Sequence, residues 1–112
     1  MDKIEAIIKH PGKNPEPIEI DNTLETLQKL VEGYIETVSF ATNMTIVCNE
    51  EGVWNAMPFN CTLFGHQLFG PIVFVGTRKD SFCDIPITFD EFKDMFKSLF
   101  SEQALRKEDE GK

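Results

Sequence analysis

No stretch of the sequence approaches the roughly 18 uncharged apolar residues that a membrane span needs. The opening Met1-Asp2-Lys3-Ile4-Glu5 lacks the charged-then-apolar order of a secretion signal. Basic residues are few, 11 against 19 acidic, for a net charge of −8. That balance opposes general binding to phosphate backbones or anionic lipid surfaces. Arg78-Lys79 and Arg106-Lys107 are isolated basic pairs rather than a patch. No GxxxxGK[ST] loop occurs, so no phosphate cradle of known form is written in the chain. There is no CxxC or CxxH spacing, and the three cysteines, Cys48, Cys61 and Cys83, are odd in number. Without a secretion signal they read as reduced thiols, and the expected location is the cytoplasm. On the same ground the sequons at Asn43 and Asn60 read as chance matches.

What is present fits one domain. A chain of 112 residues buries roughly 65% of its unfolded surface, enough for one core without disulfides. Residues 3–8 are rich in Ile and read as a first strand. Three prolines and a glycine between His10 and Pro17 read as a loop, and Ile18-Glu19-Ile20 as a brief second strand. Leu24, Leu27, Leu30 and Val31 recur at helical steps, which predicts a helix over about 23–32. Asn22 and Glu25 supply a candidate capping box and Gly33 a stop. Residues 34–40 turn strand-like. Residues 44–48 and 53–57 flank Asn49-Glu50-Glu51-Gly52, which predicts a hairpin between them. Leu63-Phe64-Gly65 and Leu68-Phe69-Gly70 repeat at a period that suits neither helix nor strand, so 61–70 reads as a compact loop. Ile72-Val73-Phe74-Val75 reads as a strand buried on both faces, and 82–87 as a returning strand. Thr88 with Glu91 forms a second capping box, opening a helix over about 88–100 with Phe89, Phe92, Met95, Phe96, Leu99 and Phe100 on its apolar face.

The element order predicts an α+β fold: a mostly antiparallel sheet of about five to six strands with the two helices packed on one face. Residues 1–100 form the expected domain and 101–112 a polar, frayed tail. Between Thr37 and Thr77 only Glu50 and Glu51 are charged, yet the stretch holds six of the twelve aromatic residues. It reads either as the central strands of the core or as an exposed apolar patch for a partner.

The segments Leu24-Glu25-Thr26-Leu27-Gln28-Lys29-Leu30-Val31-Glu32-Gly33-Tyr34-Ile35-Glu36, Asn49-Glu50-Glu51-Gly52, Asn60 and Gly70-Pro71-Ile72-Val73-Phe74-Val75-Gly76 carry a resemblance. Over roughly residues 3–77 the chain resembles the domain-of-unknown-function family numbered 3846, small proteins of bacteria, phages and conjugative elements. The second helix and the tail fall outside that pattern. The resemblance implies a cytoplasmic, mobile-element setting and carries no activity, so it transfers no catalytic residue.

Candidate chemistry is sparse. Cys48, Cys61, Cys83, His10 and His66 are the soft ligands, but no pair is spaced as a zinc knuckle, so no metal and no cofactor are expected. Cys61 with His66, oriented by Asn60, is the one arrangement that suggests an enzyme, and it needs a thiol of lowered pKa within reach of the imidazole. The chain is therefore expected to lack catalytic residues. Glu25, Glu32, Glu36, Asp90 and Asp94 suggest an alternative, an acidic mimic of DNA that occupies a DNA-binding enzyme. The leading expectation is a small interaction or regulatory module that binds a protein partner or itself, with no direct contact to nucleic acid or membrane. Tyr34, Asn49, Trp54 and Asn60 are its candidate recognition surface; for Trp54 the competing reading is core packing.

Overall fold

The computed structural model describes residues 2–105. The elements follow in the order β1 (Lys3–Lys9), β2 (Glu16–Asp21), α1 (Leu24–Val31), β3 (Ile35–Ala41), β4 (Met44–Asn49), β5 (Phe59–Leu63), β6 (His66–Phe69), β7 (Ile72–Arg78), β8 (Ser81–Cys83) and α2 (Phe89–Met95). A 3-10 turn, Lys97–Leu99, extends α2. The fold is α+β. Six strands form one antiparallel sheet in the order β2-β1-β7-β4-β3, with β8 on β7 beyond the stretch that pairs with β1. β5 and β6 form a separate hairpin.

The sheet is the middle of three layers. Val73 and Val75 of β7, with Val47 of β4 and Ile4, Ala6 and Ile8 of β1, point to α1, where Leu27 and Val31 meet them. Ile72 and Phe74, with Ile46, Cys48 and Ile7, point the other way, onto the β5-β6 hairpin and onto Phe92, Phe96, Leu99 and Phe100. Alternating side chains on an extended strand produce this division. The helices thus cover opposite faces, not one face as expected from sequence. Because β7 and β4 are apolar on both sides, each face needs its own cover.

Three local expectations are corrected. The first concerns β4, which pairs with β3 through the two-residue turn at Thr42-Asn43 and with β7, not with residues 53–57. Residues 50–57 coil back on themselves instead: Asn55 N–H donates to the Glu51 carbonyl at 2.8 Å and Met57 N–H to that of Gly52 at 3.0 Å. A central strand flanked on both sides gains more than an edge hairpin, and β3 through its two-residue turn and β7 at long range supply both flanks. Secondly, residues 59–69 are a hairpin rather than a loop. Its turn is Phe64-Gly65, both with positive φ (51° and 79°). Such turns favour Asn or Gly at the first position; here Phe64 accepts the strain and stacks on Phe40 at 4.8 Å.

The third correction lies at the ends of α1. Thr23, not Asn22, is the N-cap, its hydroxyl accepting from Thr26 N–H. Asn22 instead donates to the Phe82 carbonyl at 3.0 Å. The left-handed C-terminal residue is Glu32 (φ 64°), and Gly33 is required for another reason. A Cβ there would lie 2.6 Å from the Asn49 amide nitrogen. The Thr88–Glu91 capping box at α2 is present in both directions. Beyond Phe100, the Ser101 hydroxyl accepts from Ala104 N–H, and Ala104 and Leu105 pack on the core. The rest of the expected tail, 106–112, lies outside the described residues.

Candidate functional site

The four candidate recognition residues divide into two pairs. Tyr34 is 68% exposed and Trp54 88% exposed. Asn49 and Asn60 are buried. The Asn49 amide donates to the carbonyls of Val31 (3.0 Å) and Glu32 (3.2 Å), while its oxygen accepts from Glu51 N–H at 2.7 Å. It ties the end of α1 to β4 and starts the turn that carries Trp54. The Asn60 amide donates to the carbonyls of Lys9 (2.9 Å) and Gly70 (2.8 Å), fastening the β5-β6 hairpin to β1. Those two bonds fix the amide's orientation and leave Oδ1 buried without a partner among the described residues. Asn49 thus holds the backbone beside Tyr34 and Trp54, and Asn60 the hairpin that carries the exposed Phe59 and Phe64.

Trp54 lines a groove of about 180 Å³. Glu36 and Val38 of β3 form one wall, and His66, Gln67 and Phe69 of β6 the other; Cys48 and Asn49 lie at its floor. Its charged lining is Glu36 and Glu50 alone, with no lysine or arginine. Val53, 67% exposed, adds to its apolar lining, and Phe64, 55% exposed, stands at the turn of the β5-β6 hairpin against Phe40. Sequence reasoning passed over both. Phe64 owes its exposure to a turn that no local signal announced, and Val53 was placed in a strand that does not form. A second groove, of about 280 Å³, runs between β1, β2 and residues 85–89, with Glu5 directly opposite Glu19 across the strands. None of the four candidates lines it.

The Cys61 and His66 pair is not assembled as a nucleophile and base. Cys61 faces the core opposite Leu68, whereas His66 is exposed on the rim of the Trp54 groove. Burial pushes the Cys61 thiol up, opposed in part by the buried Lys9 ammonium. Burial and the Glu36 carboxylate push Cys48 up to about 11. Activated thiols require the reverse. At pH 8, Cys48 is expected to react with an aromatic disulfide on the order of a hundredfold more slowly than an unfolded thiol, from its smaller thiolate fraction alone. Denaturant should make all three thiols react. Labelling followed by mass spectrometry checks this, and fast labelling of native Cys48 or Cys61 would refute the burial argument.

Among the described residues, no three His, Cys, Asp or Glu side chains gather as a metal-binding group. No helix among them is long and apolar enough to cross a membrane. Of the five carboxylates of the acidic reading, Glu25 of α1 and Glu32 at its C-terminal cap belong to one side of the sheet, Asp90 and Asp94 of α2 to the other, and Glu36 to edge strand β3.

A family model described as Domain of unknown function (DUF3846) matches residues 4–97. The chain belongs to the DUF3846 family. The match runs beyond the resemblance read from sequence and takes in α2. The fold explains the difference, since α2 covers a face of the DUF3846 sheet that would otherwise stand open to water. No curated protein and no solved structure matches the chain.

Proposed function

We propose that this chain is a small protein-interaction or regulatory module, acting in the cytoplasm on behalf of a mobile genetic element, with the Trp54 rim as its contact surface. One observation carries the reading. Trp54 stands almost fully in water beside an open groove, held there by a turn that Asn49 anchors. Burying a tryptophan removes about 150–250 Å² from water, worth roughly 4–6 kcal/mol before the costs of association. A fold that can bury Phe74 and Phe92 completely, yet leaves its single Trp outside, has the composition of a recognition anchor. The mobile-element and cytoplasmic parts of the reading rest on the resemblance and on the charge and cysteine content.

The test is a nuclease-treated capture from lysate of the cell that carries the gene, at low and high salt, paired with sedimentation of the pure protein. A stoichiometric complex, foreign or with itself, should survive salt and weaken roughly tenfold or more in Trp54→Ala. The substitution should leave the urea midpoint nearly unchanged, because an exposed side chain contributes about 0.5 kcal/mol or less. No complex of either kind, or one indifferent to Trp54→Ala, would overturn the proposal.

A further inference from the structure

The two edges of the sheet are built differently. Edge β2 reads Glu16-Pro17-Ile18-Glu19-Ile20-Asp21, with a proline that cannot donate and three carboxylates. Lys3 is held by Asp21 beside it at 2.9 Å. These are the usual guards against strand addition. Edge β3 reads Ile35-Glu36-Thr37-Val38-Ser39-Phe40-Ala41, with no proline and one charge. The Tyr34 carbonyl accepts from Glu50 N–H, and Ile35 to Ser39 pair with Asn49 to Thr45 in unbroken register. Alternation along an antiparallel ladder then turns the backbone of Glu36 and Val38 toward β4, and that of Ile35, Thr37 and Ser39 outward.

We infer that β3 pairs antiparallel with β3 of a second copy about a two-fold axis at Thr37, joining two six-stranded sheets into one. This rests on the reading of the Trp54 face as a contact surface and names its occupant. The register follows from the irregularity between Ser39 and Ala41, which confines regular pairing to Ile35–Ser39, a stretch centred on Thr37. Ile35 then lies opposite Ser39 of the second copy and Thr37 opposite its own counterpart, with outward backbone groups facing each other, about six hydrogen bonds in all. Threonine facing threonine is a favourable cross-strand pair.

Charge agrees with this arrangement. Each copy carries −8, yet Glu36 faces Val38 of the second copy and not another carboxylate. A two-fold axis perpendicular to the sheet keeps like layers on the same side. Glu36 and Val38 wall the Trp54 groove, so the incoming Val38 arrives at its rim.

Sedimentation equilibrium over a concentration series tests the seam with charge-swapped variants. Wild type is expected to dimerise, more tightly as salt screens the net charge. Thr37→Lys alone and Thr37→Glu alone should each weaken the dimer roughly tenfold or more, because like charges meet on the axis. An equimolar mixture of the two variants should restore it. A wild type that stays monomeric overturns the inference; if capture through Trp54 nevertheless succeeds, the interaction module stands with a different occupant. A dimer indifferent to both variants overturns the β3 seam, and failure of the mixture to rescue overturns the Thr37 register. Should either variant not fold, amide exchange on the wild type decides. The Ile35, Thr37 and Ser39 amides should slow with protein concentration, and unchanged exchange overturns the pairing.

Discussion

Replacing Phe74 by alanine is expected to remove about 3–5 kcal/mol of stability. The Phe74 ring is fully buried in the middle of β7. It meets Phe92 edge-on at 4.8 Å, Phe96 at 5.5 Å and Phe40 at 6.4 Å. These contacts join three parts of the molecule, since Phe40 lies on edge strand β3 while Phe92 and Phe96 belong to the α2 segment. Alanine would leave a void lined by aromatic rings that cannot collapse to fill it. Domains of this size have about 5–15 kcal/mol in total, so the variant should unfold at a much lower urea concentration. Met95→Ala, at an exposed position of the same helix, should shift the midpoint little. A Phe74→Ala loss below about 1.5 kcal/mol would contradict this description of the core.

Asn49→Ala is expected to cost about 2–4 kcal/mol, although the residue stands beside the proposed contact surface. Alanine removes both donors to the end of α1 and the acceptor for Glu51 N–H. Val31, whose carbonyl would lose its amide partner, is fully buried. Aspartate should be worse, and increasingly so as pH rises. Once ionised, its carboxylate would face the Val31 and Glu32 carbonyl oxygens that now accept from the amide. Urea midpoints of both variants across pH 4–8 check the sign. If Asn49→Ala keeps full stability and loses only binding, Asn49 is a recognition residue after all.

The same position shows where the sequence is readable. Asn49 beside Glu-Glu-Gly announces a turn, and its oxygen does accept two residues onward, as asparagine commonly does. Nothing local announces that its amide closes a helix eighteen residues earlier. Trp54 is similar. Its burial depended on whether residues 53–57 became a strand, and that depended on which neighbour β4 took. β4 took β3 through a shorter turn on one side and the distant β7 on the other, so the 53–57 hairpin pattern lost.

By itself, the sequence determined the features whose causes lie within a few residues. The α+β class, the capping box of α2, the stripe of α1 and the doubly buried β7 follow from periodicity and from side chains that satisfy their own backbone. Only the tertiary structure decided which strand stands at each edge, which face each helix covers, and which candidate residues meet water. Those outcomes are settled by competition among distant segments for the same hydrogen bonds and the same apolar surface. β3 has the pattern of an ordinary strand, and its exposed backbone exists only because β4 found its other partner in β7.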